Sequence, residues 1–270
     1  MNHRGFLAGL LAITTAGAGC APPPVANEGY ELVFHDEFDG DALSGLWATP
    51  PHGNSLPPEL RDGVMTIRAT EDNYYFWGVV GSTGPRLETE PSYPFMLSFR
   101  EGYFEARMRF TDNPWAWPAF WLYSSSTMEA WPNEDCSRLT SEWDIMENGV
   151  SNGVGDRPAS RWHVSVIHRN TTDGTPEGYC DQPDEMRTYS REFPDTHLSD
   201  WHVWAGRWRG NQLCSYLDDV QLQCMDGFDS TDQPMHLQFS MLYLKTCSPC
   251  GPLPPELKLE VDWVRVWQQP

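Results

Sequence analysis

About a dozen short runs along this chain have the composition of β-strands, and no segment shows the sustained periodicity of an amphipathic helix. The runs are YELVFHDEF, GVMTIRA, GYFEARMRF, PAFWLY, SEWDIM, WHVSVIH, WHVWAGRW, QLCSYL, VQLQC, MHLQFSMLYL and LKLEVDWVRVW, with turn-rich segments between them. EGYFEARMRF and LEVDWVRVW alternate most cleanly, which implies sheets with one face buried and one face polar. So many strands with no repeat of fixed length predict an all-β fold, a β-sandwich or barrel of jelly-roll size.

The hydrophobic fraction of 40% supplies a packed core, and no composition shift marks a second domain. Aromatic residues make up 13% of the chain, with 13 Trp, more than such a core needs. The surplus suits flat, partly apolar ligands such as sugar rings, although filling a large sandwich would use about half of it. The net charge of −20 repels nucleic-acid phosphates and anionic lipids, which sets those partners aside.

The start, MNHRGFLAGLLAITTAGAGC, has a basic residue, an apolar run too short to span a bilayer, and then small residues: a secretory signal. It ends at Cys20 ahead of a Pro-rich tether, APPPVANEG, over 21–29. This arrangement resembles a bacterial lipoprotein signal, in which the Cys becomes the acylated first residue. Gly17 stands where such signals usually have Leu, and an ordinary cleaved signal is the alternative. Either way the protein is expected outside the cytoplasm, held at the envelope through Cys20 or secreted. A single domain is then expected over 30–270. Setting Cys20 aside leaves six cysteines, an even number suited to an oxidising compartment. Cys214 and Cys224 flank a hairpin turn at Asp218-Asp219 and are expected to pair. The segments holding Cys136 and Cys180 could be stapled together, and Cys247-Ser-Pro-Cys250 reads as a local loop staple.

SEWDIMENG, residues 141–149, is the unusual strand. It places Glu142, Asp144 and Glu147 among Trp, Ile and Met. Residues two apart share a face, so Glu142 and Asp144 point together, while strict alternation sends Glu147 into the core. One extra residue around Ile145-Met146, a β-bulge, returns Glu147 to the same face. Glu142 and Glu147 would then stand roughly 13 Å apart at the backbone. Leaning inward, their carboxyl groups could approach to about 5 Å, the spacing a retaining glycosidase uses. A solvated acidic strand face or a calcium site would also account for the trio.

The flanking sequence resembles glycoside hydrolase family sixteen, the jelly-roll endoglycanases. Glu142-Trp143-Asp144-Ile145-Met146-Glu147 is similar to its E-x-D-x-x-E signature in the longer, bulged form of laminarinases and agarases. REGYFEARMRF (100–110) and WPAFWLY (117–123) resemble the segments before that signature. FHDEFDG (34–40) and LEVDWVRVWQ (259–268) resemble the opening and closing strands. The resemblance implies a sandwich with a concave substrate cleft, Glu142 as nucleophile, Glu147 as general acid/base and Asp144 as the assisting carboxylate. It further implies substrate contacts from Trp117 as a stacking platform, from Trp121 unless it is core, from His168 close to the acid/base, and from Arg86 and Asn148. Catalysis by such a site needs no cofactor. One structural calcium is open, held by Asp262 with backbone carbonyls near Glu37 and Gly63; strand alternation alone would also expose Asp262.

The expected partner is a polysaccharide and the expected state a monomer, with membrane contact only through a lipid anchor. The resemblance points to a retaining endo-hydrolase of a β-1,3-linked glucan. A hydrolase or transglycosylase of a β-linked galactan stands beside it, as does a non-catalytic glycan-binding protein on the same fold. The bulky late strand MHLQFSMLYL and the loop KTCSPCGPLPPE (245–256) depart from laminarinases, and loops set specificity.

Overall fold

The computed structural model describes residues 28–45, 47, 56–70, 98–124, 140–148, 162–170, 185–192, 197, 199–226, 234–243 and 252–270. Arg86, the signal with Cys20, residues 21–27 of the tether, and Cys136, Cys180, Cys247 and Cys250 lie outside them.

Among the described residues fourteen strands run in chain order: β1 (Glu31–Asp36), β2 (Glu59–Arg61), β3 (Val64–Ala69), β4 (Ser98–Phe99), β5 (Gly102–Phe110), β6 (Ala116–Ser124), β7 (Thr140–Glu147), β8 (Trp162–Asn170), β9 (Glu185–Glu192), β10 (His202–Arg209), β11 (Gln212–Leu217), β12 (Val220–Asp226), β13 (Met235–Tyr243) and β14 (Leu257–Gln268). No α-helix occurs among the described residues. The strands form two antiparallel sheets, the all-β jelly-roll sandwich expected from the sequence. One has the order β12-β11-β10-β5-β14-β3-β2, with β1 also paired to β14; the other has β4-β13-β6-β7-β8-β9. β1 and β3 divide one edge of β14 between them: β1 pairs Asp36 with Val264 and Glu31 with Gln268, while β3 pairs Met65 with Val261 and Ala69 with Leu257.

The core lies between the sheets and follows from period-two alternation. From β14 come Leu257, Leu259, Val261, Val264 and Val266, from β5 Phe104, Ala106, Met108 and Phe110, and from β13 Met235, Leu237, Phe239 and Met241. Phe120 and Phe239 stack at 5.0 Å between neighbouring strands of the second sheet. The residues alternating with these point to the outer face of each sheet.

The turn between β11 and β12 is the expected one. Leu217 pairs with Val220, and both intervening residues have positive φ, 48° at Asp218 and 65° at Asp219. That is the two-residue hairpin geometry that suits the strand twist, and Asp tolerates the left-handed region better than most residues. Asp218 is further anchored by accepting from the Val203 N–H at 2.9 Å and meeting His202 Nδ1 at 2.6 Å. Cys214 and Cys224 are cross-strand partners and form the expected disulfide. The loop it closes is short, so replacing both with Ser should cost about 2–3 kcal/mol and lower the unfolding midpoint by several degrees. An unchanged midpoint in thermal unfolding would count against a stabilising role for the bond.

Candidate active site

The bulge is built around Ile145. On the β6 side Trp121 pairs with Asp144 and Phe120 with Met146, which leaves Ile145 without an opposite residue. On the β8 side the register moves from Asp144–Val166 to Glu147–Val164, so Ile145 and Met146 together span one partner position. Trp143, Ile145 and Met146 are all fully buried in the inter-sheet core. An apolar anchor on each side of the bulge thereby fixes the phase of the strand. With Trp143 and Ile145–Met146 turned inward, Glu142, Asp144 and Glu147 share the outer face of the second sheet.

Antiparallel register arranges that face in rows. His236 of β13, Tyr123 of β6, Glu142 of β7 and His168 of β8 occupy one row. Gln238, Trp121, Asp144 and Val166 form the next, and Ser240, Ala119, Glu147 and Val164 the third. Neighbouring rows on one face are about 7 Å apart along the strands.

The carboxylates are crowded and poorly solvated. Asp144 is 3% exposed and Glu147 8%. Burial, then repulsion from Glu147, pushes the Glu142 carboxyl up to about 8. Burial holds Asp144 well above the usual carboxylate range, with repulsion from Glu147 and Glu142 adding to it and a backbone hydrogen bond opposing it. Burial raises Glu147 to about 7, opposed by the Trp117 indole N–H, which donates to Glu147 Oε1 at 2.6 Å. Three carboxyls that cannot all ionise together near neutral pH share protons, and such a cluster can both hold a proton for donation and present a carboxylate.

Trp117 is half-buried, on the same face as the trio, and tied to Glu147 by that hydrogen bond. Trp121 is neither an open platform nor inter-sheet core. It lies opposite Asp144 on the trio's face, only 4% exposed, with its ring edge-on to Tyr123 at 5.8 Å. Asn148 is fully buried, and its backbone N–H donates to the Pro118 carbonyl at 3.1 Å, continuing the β6 pairing past Glu147. His168 is placed by strand register. It pairs with Glu142, whereas Glu147 pairs with Val164, because the antiparallel register carries later β8 residues toward the start of β7.

The three positions expected around a calcium lie on the other sheet. The Glu37 carbonyl is 4.0 Å from where a Cβ on Gly63 would sit, so those two backbone segments meet. The Asp262 carboxylate accepts from Arg107, and that of Glu37 from Arg265 at 3.0 Å. Among the described residues no group of three or more His, Cys, Asp or Glu side chains is arranged to hold a metal ion. A calcium there would rest mainly on carbonyl oxygens and would share Asp262 with a guanidinium.

Tyr123, His236, Gln238 and Ser240 also belong to this face and were not singled out from the sequence. The signal was present: in MHLQFSMLY His236, Gln238 and Ser240 are polar while Met235, Leu237, Phe239 and Met241 between them are core.

No family model matches the chain. Two curated proteins are similar to it. The endo-1,3-1,4-beta-glycanase EglC of Rhizobium meliloti is 24% identical over 229 residues, covering 80% of this chain and 41% of that protein. The glucan endo-1,3-beta-glucosidase of Cryptopygus antarcticus is 24% identical over 212 residues, covering 72% of this chain and 68% of that protein. The chain thus spans less than half the length of the first of these relatives. Among solved structures, porphyranase B from Zobellia galactanivorans superposes with a TM-score of 0.62 at 18% identity, covering 88% of this chain and 92% of that one. The laminarinase catalytic domain from Thermotoga maritima gives a TM-score of 0.60 at 17% identity, over 89% and 99% of the two chains. At this identity the structural likeness establishes a shared fold.

Proposed function

We propose that this chain is a retaining endo-β-glycosidase of glycoside hydrolase family sixteen that hydrolyses a β-1,3-linked glucan. The observation that carries the reading is the Ile145 bulge, which puts Glu142, Asp144 and Glu147 on one face with every carboxyl raised above its ordinary range. An acidic strand face serving only solubility would be solvated and would have no need of a bulge. In this reading a Glu142 carboxylate oxygen bonds to the anomeric carbon as the glycosidic C–O bond breaks, and Glu147 gives its proton to the departing oxygen. Glu147 then takes a proton from water, the water oxygen bonds to the anomeric carbon, and Glu142 leaves as a carboxylate. Two inversions retain the β configuration. Asp144, lying between them, can pass a hydrogen bond to Glu142, and the Trp117 N–H can steady Glu147 when it is ionised.

The choice of glucan is supported by the names of the two curated relatives, an endo-1,3-1,4-beta-glycanase and a glucan endo-1,3-beta-glucosidase. The fold does not discriminate, since a porphyranase and a laminarinase superpose almost equally well. The test is product release from laminarin, curdlan, mixed-linkage β-glucan, agarose, carrageenan and arabinogalactan, with the anomer of the first product followed by proton NMR. Laminarin and curdlan should yield oligosaccharides that appear first as the β-anomer. Initial formation of the α-anomer would overturn the retaining mechanism, and release from agarose or carrageenan alone would overturn the glucan assignment.

A further inference from the structure

We propose that His236 and Gln238 form a neutral hydrogen-bonding subsite that reads a hydroxyl of an uncharged sugar beside the carboxylate trio. This rests on the glycan-cleft reading above and adds to it the residues that recognise the substrate and the charge class they accept.

The two side chains project from β13 on the trio's face, because Met235, Leu237, Phe239 and Met241 take the core side. His236 lies in the row of Tyr123 and Glu142, two strands away, about 10 Å across the sheet. Gln238 lies in the row of Trp121 and Asp144. Both are at most 2% exposed, as closely covered as Asp144, which is 3% exposed two strands along the row of Gln238.

Gln238 Nε2 and His236 Nε2 are 2.7 Å apart, so the amide fixes the ring. The other ring nitrogen, Nδ1, is buried and has no hydrogen-bond partner among the described residues. With the amide N–H donating to Nε2, the ring proton sits on Nδ1 and seeks an acceptor. With the amide turned over, Nδ1 becomes the acceptor and seeks a donor. A sugar hydroxyl satisfies either form, and leaving such a group unpaired is costly enough to call for one. Burial also holds the imidazole far below its ordinary range, at about 4, so it brings no positive charge to the face.

The charge class follows from what shares these rows. Across β13, β6 and β7 the described side chains on this face include the three carboxylates and no Lys or Arg; Leu242 and Ala119 are its small or apolar members. A sulfated or carboxylated sugar would meet repulsion from the trio, with no cation among the described residues of these three strands to offset it. A neutral glucan meets no such repulsion.

The experiment uses the full chain carrying Glu142→Gln, so that oligosaccharides are not consumed, with its imidazoles labelled with 15N. Saturation with a neutral β-1,3-gluco-oligosaccharide should move the His236 Nδ1 resonance, and a sulfated galacto-oligosaccharide should bind at least about tenfold more weakly. Added to that background, His236→Phe or Gln238→Leu should weaken the neutral ligand by about tenfold or more. Two variants are used so that a folding defect in one does not decide the matter. An unmoved resonance at saturation, wild-type affinity in both variants, or no binding of the neutral ligand at millimolar concentration would overturn the subsite. The outcomes separate from the hydrolase reading. A shifted imidazole in a protein whose wild type cleaves nothing sinks hydrolysis and keeps the subsite; cleavage with an unmoved imidazole does the reverse.

Discussion

Glu142→Gln should lower turnover of the glycan by at least about 10³-fold and, above neutral pH, make the protein harder to unfold. The first effect follows from the proposed role, since an amide cannot attack an anomeric carbon and leave again as a carboxylate. The second follows from the surroundings. Burial and repulsion from Glu147 raise the native Glu142 carboxyl to about 8 within a trio that shares its protons, whereas in an unfolded chain it titrates near its ordinary value of 4.5. Between those limits the native state binds more protons than the unfolded one, so this group's contribution to stability falls as pH rises through the window. Gln has nearly the same shape and no charge to bury, and it also relieves the repulsion on Asp144. The variant's advantage should therefore be absent below about pH 4.5, grow through the window and level off above about pH 8, reaching a few kcal/mol, at about 2–4 °C per kcal/mol for a chain of this size. Thermal unfolding at pH 4 and at pH 8.5, with reducing-end release from the cleaved substrate, measures both. Turnover within tenfold of wild type would remove Glu142 from the nucleophile's role. Equal or lower stability at pH 8.5 would show that its carboxyl is not held protonated by burial. An active-site residue that costs stability and is indispensable to rate is a common trade between function and fold.

Much of this site could be read from the sequence because its determinants are local. The spacing of Glu142, Asp144 and Glu147 conflicts with alternation, and only a bulge at Ile145-Met146 resolves the conflict. The pairing of Cys214 with Cys224 across Asp218-Asp219 is equally local, fixed by a two-residue turn. What escaped is non-local or lacks an apolar signature. β2, β4 and β9 each lie at the edge of a sheet. β9, EMRTYSRE, is polar and charged but for Met186 and the ring of Tyr189, as suits an edge strand, and β2 and β4 have three and two residues. The partner of His168 depends on the register between β7 and β8, which the long intervening segment hides. The row joining His236 to Glu142 exists because β13, late in the chain, lies beside β6, and no spacing within a segment can report that.

Gly206 on β10 was also invisible in the sequence, and Gly206→Ala is the second change expected to have a large effect. A Cβ at this position would lie 2.5 Å from Trp143 Cη2, 2.8 Å from Trp143 Cζ2 and 2.8 Å from Ile145 Cγ1. Here glycine serves close approach, allowing the first sheet to receive the two side chains that anchor the bulge of the second. Trp143 is also held edge-on against Phe104 at 6.3 Å, and Phe104 is the cross-strand partner of Gly206. The indole therefore has little room to retreat. An added methyl must part the sheets locally or push Trp143 and Ile145 outward. Those residues alternate along β7 with Glu142 and Asp144, so a displacement of the anchors is a displacement of the carboxylates. Overpacking of this kind costs about 1–3 kcal/mol, and a misplacement near 1 Å at reacting groups can cost about 10²-fold in rate. The variant should unfold several degrees earlier and lose kcat on its glycan far more than it raises KM. Trp143→Phe in the same chain, which removes the two indole carbons in collision, should restore part of both losses, although alone it leaves a cavity. The double-mutant cycle would then show a coupling between positions 143 and 206 well above additivity. A Gly206→Ala protein with wild-type stability and kcat would show that the core yields without moving the strand. The geometry of the trio would then be held from its own sheet alone.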